Sequence, residues 1–245
     1  MKAYVGTSGW AYPMWNPDGL DWYVKNSGLN AIELNMSFYR YPYPNQVKGW
    51  SRRGRGLRWA IKVNRLITHV YKFNDTALVR WKSFKRLFKP MEEAGLIDFY
   101  LFQLPPSNKP TPVSKKRLER FFKKVLKNEG SNKRFALECR HQEWFTDEHV
   151  EWIKGLGLTM VSVDAPGLPR DMLNTSKLLY LRMHGRTAWY SHCYSQKELK
   201  EVVENILRVR PKPKDVYVFF NNNHAMLKNA RSMLTLVRSK LEMRK

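Results

Sequence analysis

The chain has 245 residues, is 43% hydrophobic, and carries 44 Lys and Arg against 21 Asp and Glu, a formal net charge of +23. That is enough apolar material for a sizeable core, with no run near the ~18 unbroken apolar residues of a membrane span. The N-terminal Met1-Lys2-Ala3-Tyr4-Val5-Gly6 lacks the apolar heart of a signal peptide, and Cys139 and Cys193 form neither a CxxC pair nor a disulfide framework. The expectation is a reduced, cytoplasmic protein with no membrane attachment.

In chain order, Lys2–Ser8 reads as a first strand. A loop over 9–19 follows, rich in aromatics, Pro and Gly and containing Trp10, Tyr12 and Trp15. A short helix over Leu20–Asn26 closes at Gly28. The second strand is Asn30–Asn35, with Glu33 and Asn35 on one face. Phe38, Tyr39 and Tyr41 lie in the next loop, before a helix over Asn45–Arg53. The third strand, Leu57–Val63, carries Ala60, Lys62 and Asn64 on one face and leads into a loop over Arg65–Lys72 with His69. Asp75 is placed to cap a basic helix running to Lys89. Ile97–Leu104 is the fourth strand and ends in Gln103. Ser114 is placed to cap a second basic helix, Lys115–Lys127.

The fifth strand, Phe135–Arg140, alternates sharply. Ala136, Glu138 and Arg140 share one face, and Phe135, Leu137 and Cys139 share the other. A helix near Asp147–Lys154 precedes the sixth strand, Leu158–Asp164, where Ser162 and Asp164 share a face. The stretch 165–175 is rich in Pro and Gly, so a helix there is weak or replaced by loop. The seventh strand is Leu178–His184, with Arg182 and His184 paired on one face, followed by a loop with Trp189 and Tyr190. Ser195 caps a helix over Gln196–Val209. The eighth strand, Val216–Phe220, ends in Asn221-Asn222-Asn223-His224, and a last helix spans Ala225–Lys240.

Eight strands alternating with about seven helices predict a parallel α/β architecture. At this length the expectation is a single (β/α)8 TIM-barrel domain over 1–245. No GxGxxG follows a strand, which weighs against a doubly wound dinucleotide fold.

In such a barrel, chemistry sits at the carboxyl ends of the strands. Those positions here gather three carboxylates (Glu33, Glu138, Asp164), three cations (Lys62, Arg140, Arg182), His184, and the amides Asn35, Asn64, Gln103, Asn221 and Asn222. Five of six histidines, His224 among them, lie at or after a strand end. Burying such groups costs several kcal/mol per ion unless they are paired or used. A purely structural ion network is the alternative, but ionisable groups gathered at one barrel end favour a site. Glu33, Glu138, Asp164 and His184 are the candidate catalytic acids and bases. Lys62, Arg140 and Arg182 are the candidate anion binders. Trp10 and Tyr39 are candidate stacking surfaces at the mouth. Glu138, Asp164 and His184, on consecutive strands, are the candidate ligands of a divalent metal, with Arg140 and Arg182 weighing against one. Cys139 faces away from this set and Cys193 lies in a loop, so both read as structural.

The charge is also uneven. Residues 51–90 hold twelve Lys and Arg and one acid, whereas 135–175 hold three and seven. A basic sector of this kind suits a polyanion, DNA or RNA.

The strand-end residues fall in motifs that resemble one known family. They are Gly6-Thr7-Ser8-Gly9-Trp10, Glu33-Leu34-Asn35-x-Ser37-Phe38-Tyr39, Lys62-x-Asn64-Arg65-x-Ile67-Thr68-His69, Phe102-Gln103-Leu104-Pro105-Pro106, Glu138-x-Arg140-x-x-x-Trp144, Tyr180-x-Arg182-x-His184-Gly185, and Tyr217-x-Phe219-x-Asn221-Asn222. In register over nearly the whole chain, they resemble the domain of unknown function 72, or YecE-like, family. The resemblance implies a TIM barrel and carries no settled activity. Its barrel is similar to those of metal-dependent sugar isomerases and apurinic endonucleases, an analogy of fold. The segment over 165–175 and the loop after His184 are compact for the family.

Residues and resemblance together give a first expectation of phosphodiester hydrolysis on nucleic acid. The alternatives are a sugar or sugar-phosphate isomerase or lyase, and a nucleic-acid-binding protein without turnover.

Overall fold

The structure, a computed structural model, describes residues 1–127 and 135–242. Eight parallel strands close into one barrel in sequential order: β1 (Lys2–Ser8), β2 (Ala31–Leu34), β3 (Arg58–Lys62), β4 (Ile97–Gln103), β5 (Phe135–Glu138), β6 (Thr159–Asp164), β7 (Leu178–Met183) and β8 (Asp215–Phe220). The helices are α1 (Gly19–Asn26), α2 (Pro44–Arg53), α3 (Asp75–Leu87), α4 (Lys89–Glu93), α5 (Pro112–Lys127), α6 (Asp147–Gly155), α7 (Gln196–Arg208) and α8 (Met226–Glu242). The fold is therefore the expected (β/α)8 barrel, and no helix of the described residues is long and apolar enough to cross a membrane.

Helix starts follow hydrogen bonding rather than composition. Asn74, not Asp75, caps α3, its side-chain oxygen accepting from the Ala77 amide at 3.0 Å. Thr111, not Ser114, receives the amide of Ser114 at the start of α5. The segment 65–72 contains one π-helical turn, Leu66–Val70. Ser195 and Glu198 form a reciprocal capping box on α7.

Between β6 and β7 no helix forms. The chain runs as irregular structure, tied to β6 by side chain to backbone hydrogen bonds in both directions. Leu173 N donates to Ser162 Oγ at 2.8 Å, and Met160 N to Thr175 Oγ1 at 2.7 Å. These contacts set the phase of β6 opposite to the one expected, in which Ser162 and Asp164 face inward. Val161 and Val163 face the barrel axis, while Met160 packs in the outer core and Ser162 serves the loop. Asp164, in phase with Ser162, therefore points away from the interior.

The barrel interior is stacked in layers. At the bottom Tyr4 stacks on Tyr217, and Tyr217 donates to Asp98, which also pairs with Arg58. Asp98 reaches this position because the β3–β4 register shifts beside it. The middle layer is apolar and largely aromatic, with Phe99 against Tyr180 and Tyr217, and Tyr180 against Phe219. Gly6 admits the close approach of β2, since a Cβ there would lie 2.2 Å from the Ala31 carbonyl oxygen. Above these aromatics sits a layer of ionisable groups.

Candidate functional site

Two inward carboxylates and one arginine form the centre of that layer. Arg182, fully buried on β7, bridges both acids: Nη2 donates to Glu33 Oε1 and Nη1 to Glu138 Oε2, each at 2.5 Å. The oxygens of Glu33 also accept from Ser8 Oγ at 2.5 Å and Tyr180 Oη at 2.8 Å. Glu138 Oε1 accepts from Arg140 Nε at 2.7 Å and lies 3.0 Å from His184 Nε2. Burial alone would raise Glu138, but Arg140, Arg182 and His184 hold it well below the usual carboxylate range. Burial, reinforced by Arg182, pushes His184 down to about 3 despite Glu138. His184 is thus a neutral imidazole, with Asn221 Nδ2 3.4 Å from its Nδ1.

Both carboxylates are therefore occupied as anchors that align the arginines and the imidazole. Lys62 is different. It points inward from the end of β3, is 4% exposed, and its Nζ rests 4.1 Å from the Phe38 ring centroid. Among the described residues no carboxylate stands within ion-pairing distance of it. Burial, then the charge of Arg182, lowers it to about 7, against the pull of Glu138 and Glu33. The half-buried His69 makes a T-shaped contact with the same Phe38 ring and is lowered to about 4 by burial and by Lys62.

The loop after β7 roofs the layer. Trp189 lies 4.6 Å from the Arg140 guanidinium and 5.1 Å from the His184 ring. Tyr190 Oη accepts from Arg140 Nη1 at 2.6 Å. The loop turns at Gly185, whose φ of 125° and proximity to the Ala188 carbonyl, 2.3 Å from a built Cβ, leave no room for a side chain. Tyr190 itself has a left-handed φ of 64°.

The structure brings together Glu33, Lys62, Gln103, Glu138, Arg140, Arg182, His184 and Asn221. Gln103 joins through a long contact, 3.4 Å, to Arg140. Other candidates lie elsewhere. Asp164 accepts from Arg186 at 3.0 Å and Tyr194 at 3.1 Å, on the outer side of β6. It does not meet Glu138 and His184, and among the described residues no group of three His, Cys, Asp or Glu side chains is arranged to hold a metal. Asn64 is spent on backbone, donating to Ser37 O and accepting from Leu66 N. Asn222 ties His192 O to Asn229. Trp10 packs against Trp50 and Trp59, outside the barrel. Tyr39 and His224 are exposed, and Asn35, just after β2, has a buried side-chain oxygen, Oδ1, with no hydrogen-bond partner among the described residues.

Ser8 and Tyr180 join the site without having been singled out, and Trp189 and Tyr190 join it from the aromatic loop expected at the barrel mouth. Ser8 and Tyr180 were legible in principle, since each is two residues from another inward position on its strand.

Fold and site together define a (β/α)8 barrel with an arginine-bridged, lysine-bearing charged layer at its strand ends. The chain belongs to the family described as protein of unknown function DUF72, whose model matches residues 4–244. It is 23% identical to the UPF0759 protein YunF of Bacillus subtilis, over 96% of this chain and 94% of that protein. It is also similar to DUF72 family crystal structures from Thermotoga maritima (26% identity, TM-score 0.82, 99% and 100% of the two chains) and Enterococcus faecalis (20%, 0.83, 96% and 95%).

Proposed function

We propose that this protein is an enzyme acting on a phosphate-bearing substrate at the upper end of its barrel. One observation carries the reading: three inward cations, Lys62, Arg140 and Arg182, face two carboxylates already engaged by arginine, and among the described residues none pairs with Lys62, so whenever Lys62 is protonated the layer carries one positive charge more than its carboxylates balance. Arg182 Nε is in addition a buried donor lacking an acceptor. A buried unpaired cation is costly in the free protein, and an anion entering beside it recovers that cost as binding energy. Arg140, which reaches the roof of the site, is the guanidinium placed to meet a phosphate. Lys62, near neutrality, is the group whose proton moves most easily at ordinary pH.

The roof of Trp189 and Tyr190 suits a small phosphorylated ligand better than a duplex, so sugar-phosphate chemistry is favoured over phosphodiester hydrolysis. Nucleic acid stays as the second reading for one reason. The groove between α3 and α5 is lined by Lys82, Lys85, Arg86, Lys89, Lys124 and Lys127 and suits a polyanion backbone.

Thermal melting of the full chain in inorganic phosphate against chloride of equal ionic strength tests the main reading. Saturable stabilisation by phosphate, lost in Arg140→Gln, supports it; equal melting in both salts overturns it. Cleavage of a labelled single-stranded DNA with a steep salt dependence would move the assignment to the second reading.

A further inference from the structure

We infer that Lys62 is an amine nucleophile that forms a Schiff base with the carbonyl carbon of an aldehyde or ketone bearing a phosphate. The inference rests on the phosphate reading above and narrows its substrate class.

The geometry sets Lys62 apart from the other cations of the layer. Arg140 and Arg182 are fixed by carboxylates and are too basic to become nucleophiles. Lys62, at the end of its strand, rests on the Phe38 face and has no carboxylate partner among the described residues. An ion-paired lysine has its ammonium form stabilised and its lone pair withheld. One buried against an aromatic ring and under the influence of two guanidinium groups has the opposite setting, desolvated and near other cations, the environment that activates amines. Burial and Arg182 accordingly place it at about 7. Near neutral pH its neutral fraction then exceeds that of a surface lysine, ordinarily near 10.4, by on the order of a thousandfold. The neutral imidazole of His69 lies beside the same ring and adds no competing charge.

The step balances without any further reagent. The Nζ lone pair adds to the carbonyl carbon, and the C–O π pair moves onto oxygen. Both amine hydrogens end on that oxygen, which departs as water. A proton from solvent on the imine nitrogen gives the iminium, an electron sink for cleaving or isomerising a neighbouring bond. Arg140 meanwhile holds the phosphate, and Glu138 keeps Arg140 and His184 in place.

The test is reductive trapping. The full chain is incubated near neutral pH with glyceraldehyde 3-phosphate and cyanoborohydride, followed by intact mass and peptide mapping. One adduct per chain is expected, on Lys62, forming at least about tenfold faster than on any other lysine. It is suppressed by inorganic phosphate and absent in Lys62→Arg, which keeps the charge and loses the amine. Adducts scattered over surface lysines with Lys62 no faster, or no adduct at Lys62, would overturn the inference. The wild-type map decides this even if the variant fails to fold. If trapping fails while phosphate still stabilises the protein, the carbonyl assignment alone falls; if phosphate also has no effect, the underlying reading falls with it.

Discussion

At the scale of single residues, the structure separates side chains that keep charge in place from one that tolerates its own burial poorly. Glu138 belongs to the first group. Glu138→Gln preserves shape but leaves Arg140 without a carboxylate and Arg182 with Glu33 alone. A loss of roughly 3–5 kcal/mol is expected, the cost of uncompensated buried charge, read by urea denaturation. Lys62 belongs to the second. Its folded-state value, about 7, lies below its unfolded one, so between those pH values the unfolded chain binds the extra proton and stability rises with pH. Below about 7 the burial cost is fully present. Lys62→Met is therefore expected to be more stable than the natural chain by on the order of 2 kcal/mol near about pH 6, with the gap closing toward about pH 10. The same variant should lose phosphate stabilisation. A gap that stays constant across this range would show that Lys62 keeps an ordinary ammonium.

Among the elements, the loop after β7 determines how the site is covered. Gly185→Ala must move either the Ala188 carbonyl or the turn, whereas Gly167, also at positive φ (74°), has nothing within 4 Å of a built Cβ. Gly167→Ala should cost only about 1 kcal/mol. Gly185→Ala should cost more and weaken phosphate binding by displacing Trp189 and Tyr190 from Arg140, both effects measurable in one set of phosphate melts.

The strands also show what their sequences could and could not reveal. On β5 the inward set Ala136, Glu138 and Arg140 was legible, because only one phase buries Phe135 and Leu137 against helices. On β7 the pair Arg182 and His184 followed in the same way. On β6 both faces are buried, so Thr159-Met160-Val161-Ser162-Val163-Asp164 offers no polar-out alternation to set the phase. Ser162 and Asp164 looked inward only because they are polar. Their partners, Leu173 N and Arg186, come from segments whose path no local pattern announces. Trp10, Asn64 and Asn222 show a related point: a polar or aromatic residue near a strand end serves packing and backbone as readily as a ligand.

For the whole molecule, several groups respond to acid in the same direction. His184 and Glu138 both have folded values below their unfolded ones, so the stability tied to each is present at neutral pH and lost as pH falls, through about 6.5 downward for His184 and lower for Glu138. Circular dichroism against pH should show the native signal collapsing at mildly acidic pH, and Glu138→Gln should flatten that dependence. The high positive charge adds self-repulsion to the same trend.

What unites these scales is a buried lysine at the upper end of the barrel with no carboxylate partner among the described residues. Proton NMR with carbon-13 labelling of lysine side chains can follow that ammonium as pH is varied, with and without phosphate. One lysine resonance, missing in Lys62→Arg, should titrate near neutrality in the free protein and move upward when phosphate is bound. If every lysine titrates in the ordinary alkaline range and phosphate shifts none of them, the barrel holds no uncompensated cation and the functional reading built on it is wrong.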